Sequence, residues 1–334
     1  MKACKALLPG IALTLALAGG TLVATAVAPE ARAADYTLRL GSVLAPTDPL
    51  QVAAEGFKQA VEERSQGRVE VQLFPNSQLG DTQDMMDQAA AGANVGTFVE
   101  ASRVSVFVPE FNVLVAPYAF ESVDELARFV ESDTFAAWNE ELRGKSGLTL
   151  LSFNWYQGAR HMLTKKPIAS PADLSGVRVR TIGQPLWVET IGAMGAVATP
   201  LPWAEVYPSL QTGVIDGAEA QPAAIWGAKL YEVVSDVTLT SHIYLMSGML
   251  VSDAWLQSLP EDLRQIVEEE SKRWGASALK ANVDGAEKIF ADITQAGVKV
   301  SSVDTAPFRE AVKPVWEKMG LTELVAEVRR TLDN

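Results

Sequence analysis

The hydrophobic pattern changes period several times along the chain, and each change marks an element. Tyr36, Leu38 and Leu40 alternate with polar neighbours, the period of a strand with one buried face. Leu50, Ala53, Ala54, Phe57 and Val61 then recur at three- and four-residue steps, which predicts a helix closed by Gly67. Alternation returns in RVEVQLF (68–74), a second helix is expected from Asp81 to about Ala91, and NVGTFVEASR (94–103) reads as a third strand ending near Glu100. The chain thus opens as β-α-β-α-β, the start of a doubly wound α/β sheet.

Further on, an amphipathic helix is expected at 122–138, and GLTLLSFNWYQGARHMLT (147–164) predicts two strands interrupted around Gly158. In SGVRVRT, Val177 and Val179 share one face and Arg178 and Arg180 the other. TIGQP breaks that alternation and a helix follows over 187–195. VATPLPW reads as extended, AEVYPSLQTG as a helix, and VIDGAEAQPAAIW as strand, turn and helix start. A single helical pattern then fills about 260–297, with Gly275 and Gly285 as possible bends. It is longer than one ordinary lobe needs and long enough to span two.

The first residues carry a different signal. Lys2 and Lys5 precede an apolar run from Ala6 to Ala18, and Ala31-Arg32-Ala33 forms a small-x-small site. We expect an export segment, with the processed chain starting at Ala34 or Asp35. No later stretch has the roughly 18 uninterrupted apolar residues of a membrane span. Cys4 is the single cysteine and lies ahead of the apolar run. Beyond it there is no thiol for a disulfide, a cysteine zinc site or a cysteine nucleophile.

Charge narrows the partners. The chain has a formal charge of −13; residues 1–33 hold Lys2, Lys5 and Arg32 against Glu30, so removing their +2 leaves −15. Such an acidic field disfavours nucleic acid and anionic membranes. A site for an anion must then supply its own positive charge. Catalytic signatures are sparse: two histidines, His161 and His242, no Gly-x-Ser-x-Gly elbow, no His-Glu-x-x-His helix and no phosphate loop. The carboxylate pairs Glu62/Glu63 and Glu268 to Glu270 read as solvated helix faces. No cofactor or metal is expected. More informative is the position of Arg180 at a strand end, where open α/β sheets place ligands. Arg160, Glu100 and the tryptophans Trp155, Trp187, Trp203 and Trp226 also fall near predicted turns. Arginine's planar fork matches a carboxylate, and an aromatic face covers a ligand's carbon frame.

FPNSQLGD (74–81), VGTFVEASR (95–103), DLSGVRVR (173–180), PLPWAEVYPSLQTGVIDGAE (200–219) and LTSHIYL (239–245) together resemble the DctP-type solute-binding proteins of TRAP transporters. The resemblance covers almost the whole chain after the export segment. It implies a two-lobe periplasmic binding protein of type II-like α/β fold, with an interlobe cleft, hinge strands and a long helix spanning both lobes. The expected division is 34–157 plus 246–285 for lobe I and 158–245 plus 286–334 for lobe II. The implied function is to capture a small organic acid in the periplasm and deliver it, as a monomer, to small and large integral membrane subunits. It implies no enzymatic activity.

By the same resemblance, Arg180 takes the substrate carboxylate, Arg160 is a second arginine of the site, and Trp203 lines it. Phe98, Trp187, Trp155 and Gln184 are expected around the ligand. Glu100, followed by Arg103, either accepts hydrogen bonds from the ligand or belongs to a structural salt bridge. Two departures from the family pattern stand out. Ala220 occupies the place of a usual ligand-contacting asparagine, and Gly183 the place of an asparagine found in sialic acid binders. The expected cleft therefore pairs two cations with apolar walls and few amides. Two other outputs fit such a cleft: a lyase or hydrolase with Glu100 as base, and a sensor presenting its ligand to a receptor kinase.

Overall fold

The computed structural model describes residues 33–333; the expected export segment before Ala33 lies outside them. Eleven strands are present among the described residues: β1 (Tyr36–Gly41), β2 (Val69–Phe74), β3 (Val95–Glu100), β4 (Leu148–Ala159), β5 (His161–Thr164), β6 (Arg178–Thr181), β7 (Val197–Pro200), β8 (Gly217–Ala220), β9 (Asp236–Leu239), β10 (Tyr244–Ser252) and β11 (Lys299–Ser302). They form two sheets, ordered β2-β1-β3-β10-β4 and β11-β9-β5-β8-β6-β7. The opening β-α-β-α-β gives parallel β2-β1-β3, joined by the helices Pro49–Arg64 and Thr82–Ala90. Each of these helices begins on an aspartate cap, Asp48 and Asp81, whose carboxylate satisfies backbone N–H groups of the first turn.

Two adjacent strand-to-strand crossovers link the sheets, and the helix Glu261–Gln295 makes a third passage from β10 in the first to β11 in the second. β4 in the first sheet leads through Arg160 into β5 in the second, and β9 in the second leads back to β10 in the first. Gly158, at φ +125°, lets the backbone turn there, where a side chain would be strained. Arg160 N–H donates to the carbonyl of Ile243 at 2.9 Å, tying one crossover to the other.

The long helix, Glu261–Gln295, holds both sheets. Ser271 meets Ser152 at 2.7 Å, Asn282 donates to the Tyr156 carbonyl, and further along Phe290 packs on His161 of β5. Gly275 marks a close contact: a Cβ there would lie 2.0 Å from the Asn154 side-chain oxygen. The helix expected at 122–138 is two helices, Val123–Phe129 and Asp133–Ser146, because Ser122 and Ser132 each cap a new start. Glu270 is not a solvated surface acid; it is buried and pairs with Arg64 and Arg273. The C-terminal helix Thr322–Asp333 packs against Val123–Phe129, next to the first sheet.

Candidate functional site

Where the ends of β3, β6, β7 and β8 face one another, residues from both sheets line a cleft of about 240 Å³. That is near the lower edge of small-molecule sites, roughly 300–1,000 Å³, and suits one compact ligand. Arg180, Arg160, Glu100, Phe98, Trp203 and Gln184 all line it.

Arg180 ends the alternation of β6 with its side chain turned to the cleft and only 5% of its surface exposed. Its Nε donates to the Leu201 carbonyl at 2.9 Å, and its guanidinium lies 5.3 Å from the Trp203 ring centroid. No carboxylate pairs with it among the described residues. Burial pulls its pKa down to about 10, with Glu219 acting in the opposite sense, so the group stays charged at neutral pH. A buried guanidinium without a counter-ion is costly, and an arriving anion relieves that cost.

Arg160 is different. It donates through Nε to the Glu219 carboxylate, through one terminal nitrogen to the Glu219 carbonyl at 2.6 Å, and through the other to Gln221 Oε1 at 2.8 Å. The guanidinium also lies 5.0 Å from the Trp187 ring centroid. Glu219 is fully buried; burial would raise its pKa, but Arg160 above all holds it well below the usual carboxylate range. Thr181 Oγ1 donates to the second Glu219 oxygen at 3.1 Å. The charge of Arg160 is therefore matched inside the protein, leaving two of the guanidinium's five N–H donors for a ligand.

Beneath this pair, burial keeps both histidines neutral. His161, whose pKa is lowered to about 3, packs on Phe290, and His242 accepts from or donates to Thr240 through Nδ1 at 2.9 Å. His242 Nε2 is 3.7 Å from Glu219, beyond hydrogen-bond reach.

Glu100, at the end of β3, accepts from Arg103 Nε at 2.5 Å one turn later, and Gln83 faces the same arginine at 3.4 Å. Trp155 and Trp187 are not cleft walls. Trp155 is fully buried, donates to Ser152 at 3.0 Å and backs Phe98 with ring centroids 4.9 Å apart. Trp187 is buried under Arg160 and donates to Ser102 at 2.8 Å. Both indoles are placed by these inward hydrogen bonds, so they support the cleft from behind. Trp226 lies elsewhere, stacked on Tyr231.

The cleft also holds amides that sequence reading missed. Gln157 and Gln221 line it and are joined at 2.8 Å. Ala220 instead points into the core around β8, so the polar group of this turn is supplied by the next residue, Gln221. The pairing of β5 with β8 brings Met162 opposite Glu219 and makes the Arg160 site; those residues lie some sixty positions apart, beyond any local pattern.

Two sheets linked by twin crossovers, enclosing a charged and partly aromatic cleft, define a two-lobed binding protein of the α/β class. Residues 40–323 match the bacterial extracellular solute-binding protein family 7, DctP. The chain belongs to that family. A solute-binding protein of Chromohalobacter salexigens is 31% identical, over 90% of this chain and 88% of that protein. Among solved structures, an apo, open TRAP periplasmic solute-binding protein from Escherichia fergusonii is 44% identical, with TM-score 0.78 over 88% of this chain and 99% of its own. One from Actinobacillus succinogenes, with bound L-galactonate, is 30% identical and reaches TM-score 0.85 over 89% of this chain and 99% of its own. No helix among the described residues is long and apolar enough to cross a membrane.

Proposed function

We propose that this chain is the periplasmic receptor of a TRAP-type transporter, binding a small organic acid without turning it over and delivering it to the membrane subunits. The observation that carries the reading is Arg180: a guanidinium almost wholly buried at a cleft, with no acidic partner among the described residues. Its free terminal nitrogens present a planar fork to a carboxylate. Arg160, fixed by Glu219 and Gln221, offers its two remaining N–H donors beside it, while Trp203 and Phe98 cover the carbon frame. Glu100 and the amides of Gln157 and Gln184 serve hydroxyl groups.

The two sheets are the cores of two lobes, 34–157 with 246–285 and 158–245 with 286–321, which swing about the crossovers at Arg160 and Ile243; the C-terminal helix Thr322–Asp333, expected with the second lobe, rests on the first. The likeness to the ligand-bound relative exceeds that to the open one despite lower identity, which supports reading the present conformation as closed. Ligand drives closure by its higher affinity for the closed arrangement. The chain works as a monomer, and the closed face is what the membrane subunits recognise.

A thermal-shift screen of residues 34–334 against organic acids, followed by calorimetry, tests this. A carboxylate at a hundredfold over its Kd stabilises by about 2.7 kcal/mol. Saturable binding without chemical change of the acid supports the reading. Turnover of a bound acid, or an empty protein that no acid stabilises, overturns it.

A further inference from the structure

Resting on the capture reading above, we infer that the cleft accepts ligands with a single negative charge, and that the Glu100–Arg103 pair excludes a second one. The argument is a charge inventory. Among the described residues lining or underlying the cleft, three guanidiniums, Arg103, Arg160 and Arg180, meet three carboxylates, Asp81, Glu100 and Glu219. Arg160 is spent on Glu219 and Arg103 on Glu100. Asp81 caps the helix Thr82–Ala90, accepting from the N–H groups of Gln83 and Asp84 at 2.7 and 3.0 Å. The two histidines below are held neutral by burial. Of the three guanidiniums Arg180 alone has no carboxylate paired with it, so one ligand carboxylate pairs there and a second anionic group finds no free cation.

The opposite side of the cleft is worse than neutral for such a group. Glu100 is buried and close enough to act on the charge of Arg180, and its pairing with Arg103 leaves that arginine already matched. A like charge placed against a desolvated carboxylate is strongly disfavoured. A hydroxyl or amine in the same place instead gains an acceptor. The fitting substrate class is a monocarboxylate with an uncharged, hydrogen-bond-donating far end; dicarboxylates and phosphate monoesters are rejected.

Galactonate and galactarate make a matched pair, sharing a six-carbon polyol frame and differing in a terminal hydroxymethyl against a second carboxylate. Calorimetry on the wild-type protein is expected to show galactonate bound at least about 30-fold more tightly than galactarate. Glu100→Gln keeps the shape and an acceptor oxygen but releases Arg103 as a second free cation, so it is expected to bind galactarate more tightly than wild type and to shrink the ratio at least about tenfold. Equal affinities in wild type, or an unchanged ratio in Glu100→Gln, overturn the inference while leaving carboxylate capture standing. Failure is instead that of the capture reading, and of this inference with it, if Arg180→Met binds galactonate as well as wild type does or if wild type binds neither these two acids nor any other acid of the screen.

Discussion

Arg180 and Arg160 are both buried arginines of one cleft, yet their replacement is expected to move stability in opposite directions. Arg180→Met keeps the apolar stem against Trp203 and removes a buried charge with which no carboxylate of the described residues is paired. The fall of its pKa from 12.5 to about 10 through burial corresponds to a penalty on the order of 3 kcal/mol for carrying the charge. The lost hydrogen bond to Leu201 gives back about 1–2 kcal/mol. The ligand-free variant should therefore melt no lower than wild type, and about two or three degrees higher at best. Arg160→Met strands Glu219 as a fully buried carboxylate, which costs about 3–5 kcal/mol, or roughly 6–10 °C. Binding reverses the emphasis: losing the buried cation opposite a bound carboxylate costs about 2–5 kcal/mol, a loss of about 30-fold to several thousandfold. Differential scanning calorimetry of the empty proteins and isothermal titration with a carboxylate that binds wild type read both quantities. Equal destabilisation by the two variants, or near-wild-type affinity in Arg180→Met, would refute the assignment of Arg180 as the unmatched anion receptor.

Two further outcomes follow from packing and protonation. Burial, only partly opposed by the Leu50 N–H, raises the Asp48 pKa from 3.8 to about 7, so above neutrality the native state carries a charged carboxylate at a cost on the order of 4 kcal/mol. As pH falls from about 7 towards 4 the native state takes up this proton before the unfolded chain does, and wild type gains stability from it. Asp48→Asn, which keeps a helix cap, should melt higher than wild type at pH 8, with the difference shrinking by pH 5; an equal difference at both would refute it. Gly275→Ala should destabilise by about 1–3 kcal/mol in chemical denaturation because its Cβ meets Asn154, whereas in an Asn154→Ala background the same change should stabilise by about 0.5–1 kcal/mol.

How far the sequence could be read depended on the distance over which each feature is decided. The opening parallel strands, the aspartate-capped helices and the long helix follow from periodicity within a dozen residues or so, and their ends fall close to expectation. Arg180 was legible because it lies on the alternating run of β6, and Glu100 as the end of the expected third strand, its place in the site coming from the family resemblance. Family resemblance supplied Arg160 as a site residue but not its charge partner: Glu219 meets it through the antiparallel pairing of β5 and β8, which leaves no local trace. The same limit hid Gln157 and Gln221, drawn together only by the crossover. Trp155 and Trp187 lay at the right places in the chain, but which way an indole turns is settled by hydrogen-bond partners such as Ser152 and Ser102.

The order of strands in the first sheet also sets the pace at which the protein can form. β10 sits between β3 and β4, and β4 has no other partner in that sheet. A chain that has been synthesised through residue 159 thus holds β4 with nowhere to pair, and must wait for residues 244–252. The second sheet waits less: β5 to β9 have all been made by residue 239, and only its edge strand β11 comes later. Closing such distant pairings is entropically expensive before it is rewarded, which makes folding slow. For a protein whose sequence begins like an export signal, that delay keeps the first sheet incomplete until residues 244–252 have been made.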